Sequence, residues 1–192
     1  SMKKKIIITG GLGYIGTELC KLYSGTSWHH EIIVVDNRFI SERVNQIRNW
    51  NMEFIQGDIL DKNLIKEHFK DADVVHHLAG VTDVPRTKSE TSNKKDELIK
   101  EVGVKGTQNI LDVISNKCKI IFPSTHVVYE GIDEVKKDIQ EDEKTKPVLS
   151  YSISKAINED QLKKSGKNYV ILRLGSVYGY STDSMRIDIM PN

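Results

Sequence analysis

One stretch near the N-terminus constrains this chain more than any other: Lys5-Ile-Ile-Ile-Thr-Gly-Gly-Leu-Gly-Tyr-Ile-Gly16. The apolar run Ile6 to Ile8 predicts a strand buried on both faces, as in a parallel sheet. Thr9, Gly10 and Gly11 end it. Apolar periodicity resumes at Tyr14 and runs towards Leu22, which predicts a helix. Strand, glycine turn and helix together form the context that a dinucleotide fingerprint requires. Gly10 permits the tight turn, Gly13 leaves the backbone open to a pyrophosphate, and Gly16 lets the helix pack closely on the strand. The helix N-terminus adds free N–H groups and a partial positive charge. Glycine turns also join strands to helices that bind nothing, so the rest of the chain has to decide.

The following segments repeat the strand–helix pattern. Glu31 to Asp36 reads as a second buried strand, closed by a carboxylate 20 residues beyond Gly16. That is where an acid accepts hydrogen bonds from an adenosine ribose, although a turn aspartate would look the same. A carboxylate there repels a 2′-phosphate and favours NAD over NADP, while the nearby Arg38 is a residue that can accept that phosphate. Ser41 to Asn49 has helical polarity, with Ser41 as a candidate cap. Met52 to Gln56 reads as a third strand, followed by Gly57-Asp58-Ile59. Asp58 suits either an adenine amino group, with Ile59 against the ring, or a cap for a helix over Lys62 to Phe69. Asp73 to Leu78 is the fourth strand, ending in the small residues Ala79 and Gly80. His76 and His77 are neighbours on it and face opposite sides, so they cannot form a metal pair and are expected to pack or bond locally. Val81 to Asn93 reads as a polar loop, then a long helix reaches about Ser115. Lys119 to Pro123 is the fifth strand, Glu130 to Lys146 a charged surface excursion, Ser150 to Leu162 a helix and Tyr169 to Leu174 the sixth strand. Such alternation predicts an α/β fold, a doubly wound parallel sheet with helices on both faces and ligands at the carboxyl ends of its strands.

Composition excludes several classes. Net charge is +1, which provides no field for nucleic acid or an anionic membrane. No apolar run approaches the roughly 18–20 residues of a membrane span. Cys20 and Cys118 lie far apart without metal-type spacing and read as buried free thiols; no metal site is expected. The chain reads as cytoplasmic.

A second informative stretch is Tyr151-Ser-Ile-Ser-Lys155. Residues four apart on a helix share a face. A lysine cation there lowers the pKa of the tyrosine phenol, bringing proton transfer within reach near neutrality. An ordinary surface pair has the same spacing. Ser124-Thr125, at the end of the fifth strand, adds a hydroxyl able to bond a substrate oxygen.

With these residues in order, the sequence resembles the extended short-chain dehydrogenases, in their nucleotide-sugar epimerase and dehydratase branch. The resemblance rests on Thr9 to Gly16, Val35-Asp36-Asn37, Gly57-Asp58-Ile59, His77-Leu-Ala-Gly80, Gly106-Thr107, Ser124-Thr-His-Val-Val-Tyr129, Tyr151 to Lys155, and Leu172-Arg-Leu-Gly-Ser-Val-Tyr-Gly179. It implies a Rossmann fold over residues 1–180 and NAD as cofactor. Tyr151 is implied as catalytic base, Lys155 as its cationic partner and ribose ligand, and Thr125 as the hydroxyl orienting substrate. Gly10, Gly13, Tyr14, Ile15, Gly16, Asp36, Asn37, Asp58, Ile59, Leu78, Ala79 and Gly80 would hold NAD together with Tyr151 and Lys155. A nucleotide-sugar, UDP-linked, is the implied substrate and a homodimer the implied assembly.

The resemblance also implies a subclass. The family's 4,6-dehydratases place Asp-Glu after the strand-end Thr, and its decarboxylases carry an acid at the position of Val127. Here His126-Val127 occupies the place, which leaves epimerase first and a simple dehydrogenase or reductase next. A non-catalytic NAD-binding module is the reading from another class. Gly103 stands where the family has Asn, and Ser176 where it has another Asn. Family members continue for roughly another hundred residues, so 181–192 is expected to begin a truncated substrate-binding region, the substrate-domain portion being largely absent.

Overall fold

The computed structural model describes residues 2–80, 92–125, 146–176 and 185–189, with side-chain surroundings for 2–80, 101–124 and 154–172. The elements run β1 (Lys5–Thr9), α1 (Tyr14–Tyr23), β2 (Glu31–Asp36), α2 (Ser41–Asn49), β3 (Glu53–Gln56), α3 (Lys62–Phe69) and β4 (Val74–His77). They continue with α4 (Ser92–Val113), β5 (Lys119–Thr125), α5 (Lys146–Lys164), β6 (Asn168–Ser176) and β7 (Met185–Ile189).

Seven strands form one sheet in the order β3-β2-β1-β4-β5-β6-β7. β1 to β6 pair in parallel and β7 runs antiparallel along the edge of β6. The doubly wound reading holds for the six expected strands. The edge strand Met185–Ile189 carries no glycine turn or long apolar run, and the sequence pattern did not single it out.

Alternation along β1 divides the core. Ile7 packs with Ile33, Val35, Val75, Ile120, Phe122, Ile110 and Ile114 on the face covered by α3, α4 and α5. Ile6 and Ile8 pack with Ile32, Val34, Cys20, Val44 and Ile47 under α1 and α2. Burying aliphatic side chains on both faces stabilises the sheet by about 1.5–3 kcal/mol per side chain before entropy is counted.

Three local expectations change. Ile40 is the N-cap of α2, and Ser41 is its first helical residue. Asp61 caps α3, accepting from the backbone N–H of Asn63 and Leu64. Asp58 instead closes a turn by accepting from Leu60 N at 2.9 Å. The helix containing Tyr151 starts earlier than its apolar pattern, at Lys146, with Pro147 in the first turn, where its missing N–H costs nothing. The charged excursion before it, the loop over Val81 to Glu90, and Val177 to Gly179 lie outside the described residues.

Candidate active site

β1 has β2 on one side and β4 on the other, so chain direction across the sheet reverses between β1 and β4. Crevices at such a reversal, beyond the strand carboxyl ends, are where open α/β sheets take ligands. Gly10 sits there with φ +66°, and a side chain on it would lie 2.7 Å from Ala79 N and 2.8 Å from Leu78 C. Glycine is therefore required twice, by conformation and by contact. Gly10 N donates to Val35 O at 2.8 Å. Gly16 packs on Gly11, where a Cβ would come within 2.5 Å of Gly11 Cα. Gly13 differs: a Cβ there meets only Gly10 O at 3.4 Å and Arg38 Nη2 at 3.8 Å, so packing does not require its bare backbone, which stands open. This is the cradle a pyrophosphate needs, at the N-cap of α1.

Asp36 is buried, 5% exposed, at the carboxyl end of β2. Its Oδ2 accepts from Leu12 N at 3.0 Å, and its Oδ1 accepts from Arg38 N at 3.0 Å. The Arg38 side chain folds back on the same carboxylate, Nε to Oδ1 at 3.2 Å and Nη2 to Oδ2 at 3.3 Å. Arg43 donates to Leu12 O. Leu12 is thus held from both sides, and with it the glycine loop. Arg43 lacks a motif, and only the fold brings it to the turn.

Leu78, Ala79 and Gly80 adjoin this loop. Thr9 Oγ1 accepts from Leu78 N at 3.1 Å and Ala79 N at 3.0 Å. Both lone pairs are used, so its own proton goes to His77 Nδ1 at 2.9 Å. The His77 ring must then carry its proton on Nε2, which donates to Thr107 Oγ1 at 2.8 Å. Thr107 donates in turn to Gly103 O at 2.6 Å. His77 is fully buried, and burial first and the Lys155 charge second push its pKa down to about 3. It is a neutral relay of hydrogen bonds and not a charge. His76 faces the other way, meeting the Tyr23 hydroxyl at 2.7 Å, and burial lowers its pKa to about 4. The two histidines do bond locally on opposite faces.

Ile59 lies over Gly106, where any Cβ would strike Ile59 Cδ1, and its carbonyl accepts from Asn109 Nδ2 at 3.0 Å. Asp58 and Ile59 therefore stand fixed at the carboxyl end of β3, beside the end of β2, where Gly57 N donates to Asp36 O at 2.9 Å. Tyr14 is half-exposed at the start of α1, Ile15 is partly buried, and Asn37 is exposed.

Lys155 is 2% exposed, which removes the surface-pair reading. Its Nζ lies 4.5 Å from the centroid of the Phe122 ring, a cation–π contact that favours the charged form. Burial pulls its pKa down to about 7, and the Glu159 carboxylate one turn on opposes this. Glu159, like Asn158, is buried with it, and the fingerprint residues gave no sign of either. Tyr151 lies four residues before Lys155 on α5, and Thr125 closes β5, paired with Leu174. The Tyr151 and Thr125 side chains and His126-Val127 are outside the described surroundings. Ser124 Oγ, beside Thr125, is buried with no hydrogen-bond partner among the described residues.

The open backbone at Gly13, the buried acid at Asp36 and the buried cation at Lys155 together fit a dinucleotide laid across the strand ends. Among the described residues, no group of three His, Cys, Asp or Glu is placed to hold a metal, and no helix is long and apolar enough to cross a membrane.

Comparison with known proteins agrees. The chain is 33% identical over 189 residues to UDP-N-acetyl-alpha-D-glucosaminuronate decarboxylase of Bacillus cytotoxicus, covering 93% of this chain and 56% of that protein. It is 31% identical over 186 residues to a putative UDP-glucose 4-epimerase of Methanocaldococcus jannaschii, covering 93% and 57%. The chain thus spans about half the length of the curated relatives it matches. The Bordetella bronchiseptica enzyme WbmG, solved in complex with NAD, shares the fold with a TM-score of 0.65 at 22% identity, over 93% of this chain and 55% of that one. The model of the NAD dependent epimerase/dehydratase family matches residues 6–190. The chain belongs to that family, whose members are enzymes with NAD as their cofactor.

Proposed function

We propose that this chain is the NAD-binding and catalytic half of a nucleotide-sugar epimerase. The observation that carries the reading is Lys155, a buried cation on the same helix face as Tyr151 and close to the end of β5. A lysine buried with a pKa near 7 is costly for a fold, and such costs concentrate at working sites.

Gly10, Gly13 and Gly16 receive the pyrophosphate, with Tyr14 and Ile15 at the helix start. Asp36 and Asn37 take the adenosine ribose, Asp58 and Ile59 the adenine, and Leu78 to Gly80 line the adjoining backbone. Lys155 donates to the nicotinamide ribose and lowers the phenol pKa of Tyr151. Tyr151 Oη takes the proton of a sugar hydroxyl, and Thr125 Oγ1 orients that oxygen. NAD, when bound, supplies the acceptor for the hydride on the adjacent carbon and the donor that returns it. A keto-sugar that turns over between the two transfers comes back with inverted configuration, with the cofactor unchanged overall.

Among the family's chemistries, epimerisation asks least of the chain. Dehydration and decarboxylation require a further proton carrier, and the sequence has His126-Val127, not an acid, after Thr125. UDP-sugars are the first substrates to try, with the chain in its full-length context. Epimer formation without net cofactor reduction, lost in Tyr151→Phe while NAD still binds, is the expected result. Stoichiometric cofactor reduction would make the protein a dehydrogenase, release of carbon dioxide a decarboxylase. NAD binding with no turnover on any nucleotide-sugar would leave a binding module.

A further inference from the structure

Helices α4 and α5 meet along a seam bridged by a buried amide, Asn158, and a part-buried one, Gln161. Asn158, 3% exposed, donates through Nδ2 to Gly103 O at 3.0 Å and also reaches Thr107 Oγ1 at 3.3 Å and Gln161 Oε1 at 2.9 Å. Gln161 Nε2 donates to Val104 O at 2.8 Å. The two amides differ in what lies behind them. Gln161 ends on a helix carbonyl and on the exposed rim at Gln108. Asn158 ends on Thr107, which accepts from His77, which accepts from Thr9, which holds the backbone of Leu78 and Ala79. A continuous buried chain therefore runs from the glycine turn to a residue three positions beyond Lys155. Gly103 faces it: a Cβ there would lie 4.0 Å from Asn158 Oδ1, an ordinary contact, so a longer polar side chain at 103 would extend towards the amide of Asn158.

We infer that Asn158 is the positioning residue for Lys155: it locks the height of α5 against the Thr9–His77–Thr107 chain and so sets the lysine relative to the dinucleotide turn. Directed hydrogen bonds can do this where apolar packing alone would allow the helix to slide. Among the described residues, the groups facing the lysine include Glu159 on its own helix, His77 on β4 and the Phe122 ring on β5.

The inference rests on Lys155 serving the cofactor, and the experiment separates the two. In the full-length protein, the Lys155 side chain is titrated by NMR of 13C-labelled lysine, and NAD affinity is measured by calorimetry, for the parent, Asn158→Ala, Gln161→Ala and the exchanged pair Gly103→Asn/Asn158→Ala. Both single variants loosen the seam. Only Asn158→Ala is expected to raise the Lys155 pKa by about one unit, as the loosened lysine gains water, and to weaken NAD about tenfold because the cation, though charged, no longer stands at the cofactor, the effect of one buried hydrogen bond. The exchanged pair, which supplies the amide from α4, is expected to recover most of both. Equal effects of Asn158→Ala and Gln161→Ala, or none from either, would overturn the role of Asn158 and leave it a packing residue. If the parent bound no NAD, the functional reading would fail, while the titration of Lys155 would still decide the positioning. Should Asn158→Ala not fold, Asn158→Ser, whose hydroxyl is too short for Gly103 O, takes its place in the same comparison.

Discussion

Around the glycine turn, backbone atoms do the holding: Gly10 N on Val35 O, Leu12 N on Asp36, Leu78 N and Ala79 N on Thr9. Around Lys155, side chains from separate elements do it, with His77, Thr107, Asn158 and Phe122 coming from β4, α4, α5 and β5. Most of the first half is nearly local, its members following one another along β1, α1 and β2, with Leu78 and Ala79 joining from the end of β4. The second half exists only once the sheet and both helices have assembled. A substitution in the first half should act through the backbone, severe where the packing is closed and mild where it is open. One in the second should act through electrostatics and be graded.

The sharpest test of the first half sets two of its own glycines against each other. Gly10→Ala must accept φ +66° and a methyl group 2.7 Å from a backbone nitrogen that cannot yield. It is expected to consume most of a domain stability of about 5–15 kcal/mol, seen as loss of the cooperative urea transition. Gly13→Ala meets nothing closer than 3.4 Å. It should fold with stability within about 1 kcal/mol of the parent and yet bind NAD at least tenfold more weakly, since its methyl enters the pyrophosphate cradle. Equal tolerance of both changes would break the picture of a backbone-built turn.

Next in size is an acid effect that belongs to β4, where the halves meet. Burial lowers the pKa of His76 to about 4 and, with Lys155 adding to it, that of His77 to about 3. The unfolded chain therefore takes up protons first as pH falls below about 6.5, while the folded chain resists. Stability is fully present above that pH and declines down to about pH 3–4, by roughly 3–5 kcal/mol per ring at most. Urea unfolding at pH 7 and pH 4.5 measures it. A midpoint unchanged between them would mean that the rings are solvated and the chain from Thr9 to Thr107 is broken in solution.

A smaller, graded effect isolates Lys155. Its pKa near 7 means the lysine loses its charge as pH rises through neutrality. NAD, an anion, favours the charged form and so raises that pKa on binding. Affinity should accordingly fall as pH rises from about 7 to 9, by up to about tenfold per pH unit, with proton uptake on binding within that range and none well below it. Lys155→Met should flatten the dependence. A flat profile in the parent would place the cation out of reach of the cofactor.

Legibility follows the same division. Gly10, Gly13, Gly16 and Asp36 stand out in the sequence because each is chosen by a local requirement: a positive φ, an open backbone, a strand end. The six parallel strands were legible for the same reason, as apolar runs between helical patterns. Asn158 and Arg43 were not, because an amide or a guanidinium has no periodicity, and its partner lies 31 to 55 residues away; Thr107 stood out only within its Gly-Thr pair, and its bond to His77, 30 residues away, did not. Gly103 was visible as a departure from the family, but its reason lies on another helix. β7 was hidden because an antiparallel edge strand needs only a neighbour, here β6, and no pattern of its own.

The smallest expected effect concerns Arg38, which belongs to neither half cleanly. Its guanidinium donates to both oxygens of Asp36 from a side chain 46% exposed, so the pair itself contributes little to stability. Two of the carboxylate's acceptor positions are nonetheless taken by it, and those are positions a ribose would use. If Asp36 takes the ribose as proposed, NAD has to displace the guanidinium, whereas a 2′-phosphate would find a cation already there. Arg38→Ala should therefore bind NAD about two- to threefold tighter and NADP more weakly than the parent, with stability unchanged within about 0.5 kcal/mol. Calorimetric titration with both cofactors reads the two shifts separately. If NAD instead bound tenfold more weakly, Arg38 would be a direct ligand, and the glycine-turn half would owe its affinity to a side chain after all.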